Sequence, residues 1–395
     1  MSIAHDPTRA DEEALETLEW MHGRRDEFTD FVRELCAVES PTDNPESQRD
    51  VHAILEPAFR ELGYEVRRVP GRISGDHFYA VPKGRPSGRP VQMLVGHTDT
   101  VWPMGTLHRM PLTVEGDTLS GPGTLDMKGG VTQILFALRA LRELGRTPSV
   151  DPIVFVNSDE ETGSPDSVRH VKRLARSANR AFVLEPALGD DGLIKTARKG
   201  VGHFSVVAHG RASHAGLDPL SGASAIVELA HVIQTVTGLT DHDRGTTLNV
   251  GVVSGGTRPN VIAAEARCAI DVRVESIAEG EAIERAMAAL TARDPDVRLE
   301  IEGGIKVPPL ERTERNQALW SKARSIGSEM GFSLDHALAG GGSDGNTTSL
   351  FTATLDGLGC VGDGAHADHE HIRLTPTLDR CALLAHLLMM PDLAS

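Results

Sequence analysis

The sequence contains few cysteines and no long apolar run. Its four cysteines lie far apart and form no CxxC pair, so neither a thiolate metal site nor a disulfide framework is indicated. Apolar runs stay well short of the roughly 20 residues that a membrane-spanning helix needs. These two absences predict a protein of a reducing compartment that does not cross a membrane.

The chain also has fewer basic residues than acidic ones. The chain has 40 Lys and Arg against 56 Asp and Glu, a formal charge of −16, which argues against a nucleic-acid or anionic-membrane surface. The N-terminal residues Met1–Asp6 are polar and lack the basic segment and apolar core of a secretory signal. We therefore expect a cytoplasmic enzyme that acts on a small molecule.

The length of 395 residues suggests two domains. Helices and strands alternate up to about residue 198, which predicts a layered α/β fold. Between residues 199 and 308 the order becomes βαββαβ, which is typical of a ferredoxin-like module, and the alternation then resumes. We predict one domain from residues 1–198 and 309–395, with the module of residues 199–308 inserted into it. Helical spacing is predicted over Glu13–Val38, and strands over Val261–Val274 and Ser333–Ala337.

Three predicted strands run directly into acidic residues or a histidine. Catalytic and ligand-binding groups gather at the carboxyl ends of strands in open α/β sheets. Convergence of such ends therefore predicts a cation site. The residues that follow the three strands are His97 and Asp99, then Glu160 and Glu161, and finally Glu185.

Two further loops carry candidate ligands. Asp126 lies in a glycine-rich loop that opens a helix, where a helix N-cap is as good an interpretation as a metal ligand. The loop lacks the GxxxxGK[ST] spacing of a phosphate site. His366 is followed closely by His369 and His371, and composition does not choose among the three or exclude a surface loop. The adjacent Glu160 and Glu161 suggest a division of labour, with one acid on a metal and the other facing water.

The segment Gly341–Gly345 matches G-x-S-x-G, the nucleophile elbow of serine hydrolases. A serine hydrolase would also need an acid and a histidine downstream, for which Asp363 and His366 stand in the required order. Only about fifty residues follow Ser343 and little sheet remains to carry those partners, so the match is weak. We instead expect Gly341 and Ser343 to form a backbone loop near a bound substrate.

Taken together, these segments resemble a dizinc metallopeptidase family of aminoacylases, acetylornithine deacetylase, succinyl-diaminopimelate desuccinylase and glutamate carboxypeptidases. The resemblance covers nearly the whole chain and is nearest to the bacterial glutamate carboxypeptidases, including folate-cleaving ones. It implies a mixed-sheet, dizinc aminopeptidase-like catalytic domain with an inserted lid and dimerisation domain. The matching motifs are GHTDTV, GTLDMKGG, DEETGS, EPA, GRASHAG, RPNVI, GGGSDGN and GDGAHADHE.

The resemblance implies a role for each candidate around two Zn²⁺ ions, which Co²⁺ or Mn²⁺ could replace. It chooses His366 among the three histidines because the family's ligand lies four residues before a glutamate, here Glu370. It also leads us to expect a cis peptide after Asp126. The implied roles are Asp126 bridging both ions, His97 and Glu185 on one, Glu161 and His366 on the other, Asp99 orienting His97, and Glu160 as general base.

On the substrate side, the resemblance implies that His214 stabilises the oxyanion, across a homodimer in dimeric relatives. Without the motif, His214 is better interpreted as a surface residue. Arg273 and Asn260 match positions that hold a free α-carboxylate, which a guanidinium binds bidentately. Many relatives carry Arg where Val307 stands here, so Lys306 beside it is a less selective substitute.

The sequence therefore predicts a zinc-dependent amide hydrolase that releases a C-terminal amino acid, with glutamate as a candidate, from a peptide or N-acyl conjugate. A deacylase of N-acyl amino acids, requiring only the α-carboxylate, is the first alternative. A catalytically silent relative that uses the cleft for binding is the second. Such a relative is expected to have lost a ligand or the base, and all six positions are occupied here.

Overall fold

The computed structural model describes residues 12–393, so the polar segment Met1–Asp6 lies outside the described residues. The chain divides into two compact units. The larger unit runs up to Thr196 and continues in Arg312–Ala339 and from Ser343 onward, while the inserted unit comprises Ala197–Glu311 and Gly340–Gly342. These divisions lie within three residues of the predicted boundaries. Gly340–Gly342 is a correction, since we predicted it in the catalytic domain and it groups with the inserted unit.

The secondary structure alternates between helices and strands along most of the chain. No helix within residues 12–393 is long and apolar enough to cross a bilayer. The helices are α1 Glu12–His22, α2 Arg25–Ala37, α3 Gln48–Glu61, α4 Gly129–Glu143, α5 Val168–Ala175, α6 Ala225–Thr237, α7 Ile277–Ala288, α8 Glu314–Glu329, α9 Asp344–Thr348 and α10 Leu374–Met389. The strands are β1 Tyr64–Val69, β2 His77–Pro82, β3 Val91–His97, β4 Thr113–Glu115, β5 Thr118–Ser120, β6 Asp151–Asn157, β7 Ala178–Val183, β8 Ile194–Arg198, β9 Gly200–His209, β10 Thr247–Gly255, β11 Glu265–Val274, β12 Arg298–Val307, β13 His336–Ala339, β14 Ala353–Leu355, β15 Gly362–Asp363 and β16 His371–Arg373.

A six-stranded mixed sheet, in the order β1-β2-β6-β3-β7-β14, forms the centre of the larger unit. The first two pairings are antiparallel, and β6, β3, β7 and β14 run parallel. Every residue of β3 is buried because both faces of the sheet are covered. Leu94 belongs to one core cluster and Met93 and Val95 to another, as alternating side chains require. The predicted mixed α/β fold is confirmed.

The register of the central strands places their carboxyl ends at one edge of the sheet. His97 pairs with Asn157 between β3 and β6, and Val95 pairs with Val183 between β3 and β7. The residues that follow these strands therefore start from neighbouring points. This is the edge at which open α/β sheets bind ligands.

The inserted unit is an antiparallel sheet in the order β10-β11-β9-β12. Its elements follow each other as βαββαβ, the order that the sequence predicts. Apolar residues of α6, α7 and the sheet form one core cluster. Both helices have a serine N-cap: Ser224 accepts from the N–H of Val227, and Ser276 from that of Glu279, as capping preferences lead one to expect.

Three local predictions are wrong in detail. The helical segment Glu13–Val38 is two helices separated at Gly23 and Arg24, since glycine is a poor helix former. The strand predicted from Val261 begins at Glu265, because residues 262 and 263 hydrogen-bond to residues 213 and 225 instead of a neighbouring strand. The strand predicted at Ser333–Ala337 lies at His336–Ala339.

Candidate metal centre

The predicted metal ligands and the predicted base converge in the larger unit. They lie on the edge of the sheet where the parallel strands end, on the loop before α4 and on the loop before β16. Among the described residues, two triads have ligand atoms within 4.8 Å of one another: His97, Glu160 and Glu185, and His97, Asp126 and Glu161. Sequence-distant acids and imidazoles therefore form one cluster.

Glycines allow the loop that carries Asp126 to approach the end of β7. A Cβ on Gly130 would lie 2.1 Å from the carbonyl oxygen of Leu184, the residue before Glu185. Only glycine fits this approach without a shift of backbone. The peptide between Asp126 and Met127 is cis, as the resemblance led us to expect.

Glu160 and Glu161 do not continue strand β6, which ends at Asn157. They begin a single 3₁₀ turn, Glu160–Thr162. Successive residues of a 3₁₀ helix are about 120° apart around its axis. The two side chains therefore diverge: Glu161 contacts His366 at 3.1 Å, while a Glu160 oxygen lies 3.9 Å from Nε2 of His97.

The carboxylate of Asp126 joins two sets of ligand atoms. Its Oδ1 lies 3.1 Å from Nε2 of His97, which is also 3.5 Å from Oε1 of Glu185. Its Oδ2 lies 3.2 Å from Nε2 of His366, which is 3.1 Å from Oε2 of Glu161. One oxygen thus faces each set, which is the arrangement of a bridging ligand.

These distances fit two zinc ions. Ligands about 2.0–2.2 Å from a tetrahedral zinc lie roughly 3.3 Å from each other, close to the contacts of Asp126. Oε1 of Glu161 is buried and has no hydrogen-bond partner among the described residues, so a buried acceptor is left for a cation. Aspartate, glutamate and histidine are ordinary zinc ligands.

Burial and charge shift the pKa values of this cluster strongly. Burial, together with the nearby charge of Glu185, raises the pKa of Glu160 well above its usual range. Burial also raises the pKa of Glu161 to about 7. Hydrogen bonds to Asp126 and Glu161 raise the pKa of His366 to about 10. Such strong shifts are typical of functional sites, and a divalent cation would relieve the repulsion among the acids.

Asp99 connects both sides of the cluster through the backbone. Its Oδ1 accepts the N–H of Glu160 at 3.2 Å and its Oδ2 that of Glu161 at 3.1 Å. The nearest partner of Nδ1 of His97 is the carbonyl oxygen of Asp99 at 2.9 Å, whereas its carboxylate lies 3.5 Å away. Asp99 therefore orients His97 mainly through its backbone and holds the 3₁₀ turn through its carboxylate.

The sequence analysis missed Asp344, at the start of α9. This buried acid accepts hydrogen bonds from Nδ2 of Asn157 at 2.6 Å and from Oγ of Ser164 at 2.7 Å. Asn157 and Ser164 lie on either side of the Glu160–Glu161 turn, so Asp344 closes the base of that loop. Its position within GGGSDGN was the available signal. Burial raises the pKa of Asp344 to about 7.

Two residues other than glycine have a left-handed φ among the described residues, Ser164 at 56° and His366 at 62°. Both lie on loops of the metal centre. Such conformations are uncommon for side chains with a Cβ, and they cluster at functional sites. The loops are therefore held in shape by their surroundings.

The other two histidines point to different partners. His369 Nε2 lies 3.7 Å from Oδ2 of Asp363, and Nδ1 of His371 is 2.9 Å from the carbonyl oxygen of His369. Of the three, only His366 contacts Asp126 and Glu161.

Ser343 is not a nucleophile elbow. Such a serine sits in a strained turn with an exposed hydroxyl, but Ser343 has an extended φ of −161° and caps α9. Its hydroxyl is buried and donates to Oδ2 of Asp356 at 2.6 Å. The hydroxyl is therefore engaged, and a substrate role for this loop would rest on its backbone.

The remaining predicted residues lie in the inserted unit. Nδ1 of His214 accepts the N–H groups of Gly216 and Leu217 at 3.1 and 3.0 Å, so in the neutral ring the proton is on Nε2. Arg273 donates to Asp271 of the same strand at 3.0 and 3.2 Å. Three further residues are exposed: Asn260, Lys306 and Gly341.

Comparison with known proteins identifies the family. The model of Peptidase family M20/M25/M40 matches residues 93–390. The chain belongs to this peptidase family. Carboxypeptidase G2 of Pseudomonas sp. strain RS-16 is 30% identical over 369 residues, which are 91% of this chain and 88% of that protein.

Solved structures show the same fold. Aminopeptidase PepT of Bacillus cereus superposes with a TM-score of 0.78 at 22% identity, over 94% of this chain and 99% of that one. The YXEP protein of Bacillus subtilis, described as a dinuclear metal binding peptidase of the M20 family, has a TM-score of 0.68 at 16% identity, over 93% and 98%. The M20 member described here is a hydrolase that acts on peptide bonds.

Zinc binding should release protons and strengthen as the pH rises. With its pKa raised to about 10, His366 is protonated at neutral pH in the metal-free chain, whereas a metal ligand must be the neutral imidazole. Calorimetric titration with zinc in buffers of different ionisation enthalpy should therefore show net proton release. Affinity should increase from pH 6 to pH 9. An affinity that does not change with pH would contradict this arrangement.

Proposed function

We propose that the protein is a zinc-dependent carboxypeptidase that releases a C-terminal amino acid from a peptide or N-acyl conjugate. The observation that carries the proposal is the position of the Asp126 carboxylate. One of its oxygens faces His97 and the other faces His366. The 30% identity to a protein named Carboxypeptidase G2 supports the choice of a carboxypeptidase. When bound, two zinc ions would polarise the scissile carbonyl and acidify a water molecule.

His97 and Glu185 would hold one ion, Glu161 and His366 the other, and Asp126 both. Glu160 is the general base of the proposed reaction, because the 3₁₀ turn directs it away from the Glu161 set. A carboxylate whose pKa is raised is a stronger base, which can take a proton from water and return it to the leaving nitrogen. Burial and the charge of Glu185 supply that upward shift in the metal-free chain.

Most of the groups that bind the substrate would come from the inserted unit, and Ser343 from the larger unit. His214 has its Nδ1 occupied by two backbone N–H groups, so a neutral ring offers an Nε2–H donor to the developing oxyanion. Arg273 and Asn260 would hold the α-carboxylate, and Gly341 and Ser343 the nearby substrate backbone. Asp271 already occupies the Arg273 guanidinium, so a substrate carboxylate must compete with it.

Replacing Glu160 or Glu161 by glutamine, one at a time, should distinguish the general base from a metal ligand. We expect Glu160→Gln to retain both zinc ions and to lower kcat by roughly 10²–10⁴-fold, since it removes proton transfer. Glu161→Gln, the matched control, should lose zinc from one site. Zinc stoichiometry by elemental analysis and turnover of the loaded proteins measure both effects. Normal turnover of Glu160→Gln would remove Glu160 from the mechanism.

The acyl group and the released amino acid are tested by comparing substrates of the two candidate classes. A glutamyl folate analogue and N-acetyl amino acids should distinguish the carboxypeptidase from a deacylase of broad specificity. If Lys306 selects an acidic side chain, Lys306→Met should lower kcat/KM for glutamate substrates by roughly fivefold, the value of an exposed charge pair. The same change should leave kcat/KM for alanine substrates unaltered. Lys322→Met, the control, should leave kcat/KM unaltered for glutamate and alanine substrates alike. An equal effect on all substrates would exclude this role.

We also propose that two copies pair through β10, an edge strand of the inserted unit. Its sequence TLNVGVVSG contains no charge and no proline, the devices that normally protect edges from pairing. Val252 and Val253 are 64% and 56% exposed. The opposite edge strand, β12, carries charged residues along its length. An apolar edge strand without charge or proline favours an isologous dimer.

Placing a charge on this edge should separate the copies. Val252→Lys should shift the mass measured by light scattering from two chains to one, because a lysine on a paired edge is repelled by its symmetry mate. Glu302→Lys, on the β12 edge, serves as the control and should remain dimeric. A wild-type protein that is already monomeric would reject the proposed interface.

The four cysteines of the chain are all free and buried, which supports a reducing, cytoplasmic location as part of this proposal. Cystine-stabilised proteins are instead typical of oxidising compartments.

A further inference from the structure

Glu370 is a buried acid that the proposed reaction does not use. It belongs to the larger unit, is 0% exposed and lies four residues after His366. Its carboxylate accepts four hydrogen bonds, three of them from one loop. The donors are the backbone N–H groups of Leu125 and Asp126 on Oε1 at 2.9 and 3.0 Å, the backbone N–H of Gly123 on Oε2 at 3.0 Å, and the indole N–H of Trp102 on Oε2 at 2.7 Å.

The backbone of Glu370 also contacts the loop that carries Asp126 and the turn that follows His366. Its carbonyl oxygen accepts the N–H of Gly121 at 3.0 Å, and its own N–H donates to the carbonyl of Ala367 at 2.9 Å. The second bond closes the turn that directly follows His366. Glu370 therefore contacts both ends of the Asp126 loop and fixes the chain that carries His366.

Trp102 adds a further restraint on the same turn. The guanidinium of Arg109 lies 5.4 Å from the centre of the Trp102 ring and forms an ion pair with Asp368. Asp368 lies between His366 and Glu370 in the chain. The indole that donates to Glu370 is thus connected to the His366 turn by a second route.

We infer that Glu370 is a positioning residue of the metal centre, holding the Asp126 and His366 loops together so that one carboxylate can serve both ion sites. This inference rests on the proposed metal centre. A bridging carboxylate must present its two oxygens in fixed directions, and small errors in outer supports weaken such sites. Charged acceptors form strong hydrogen bonds with N–H donors, so one buried carboxylate can fix three backbone groups of the same loop.

Glu370→Gln tests this inference with little change in size. A glutamine has one acceptor oxygen, and its NH₂ group must face N–H donors whichever way the amide turns. We expect zinc transfer from the loaded protein to a coloured chelator to be roughly 10- to 100-fold faster for at least one ion, the usual effect of losing an outer support. Unfolding of the metal-free protein by urea is measured in parallel.

Glu228→Gln is the matched control. The buried Glu228 carboxylate accepts the backbone N–H groups of Arg293 and Asp294 at 2.9 and 3.0 Å, so it fixes a loop of the inserted unit that carries no proposed ligand. It should release zinc at the wild-type rate. If Glu370→Gln also releases zinc at the wild-type rate, or only loses stability when metal-free, Glu370 has no positioning role and the inference is overturned.

Two further outcomes keep the test decisive. If the wild-type protein takes up no zinc, the proposed function fails and the inference fails with it. If Glu370→Gln does not fold, Trp102→Phe removes a single donor and keeps an aromatic ring. We then expect zinc transfer to be roughly twofold to fivefold faster, the value of one hydrogen bond, and an unchanged rate would overturn the inference.

Discussion

The proposed metal centre depends on keeping like charges together where the acids are largely buried and only His366 is half exposed. Asp126, Glu161 and Glu185 meet Glu160 around two imidazoles, and burial alone disfavours the ionised form of each acid. The contacts of His97 and His366 with Asp126 hold the pKa of Asp126 well below its usual range despite its burial. The imidazoles thus offset part of the repulsion. A pair of divalent cations is the natural complement of the remaining charge.

A second group of buried acids makes this arrangement rigid. Asp99, Asp344 and Glu370 accept hydrogen bonds from backbone or side-chain N–H and O–H groups of the loops that carry the ligands. Because their lone pairs are already satisfied by protein donors, they are suited to support rather than to chemistry. The Asp126 loop is therefore held by Glu370, and the Glu160–Glu161 turn by Asp99 and Asp344, all from distant parts of the chain. Outer supports of this kind set the geometry of metal sites.

Sequence reasoning located the edge of the sheet because β3, β6 and β7 are apolar runs that end in polar residues. That pattern depends on local chemistry alone, so His97, Glu160, Glu161 and Glu185 could be selected without a structure. Asp126 remained ambiguous, since a helix N-cap and a metal ligand have the same local sequence. The 3₁₀ turn of Glu160 and Glu161 could not be predicted, because a single turn has too few residues to show a period.

The sequence by itself determined the layered architecture, the inserted βαββαβ module and the set of chemically competent residues, because periodicity and motif order are written along the chain. Only the tertiary structure decided which oxygen of Asp126 faces which imidazole and which acids act as supports. Those facts depend on contacts such as that between Gly123 and Glu370, which are 247 residues apart. No local pattern encodes a hydrogen bond whose partners meet only after the sheet has formed.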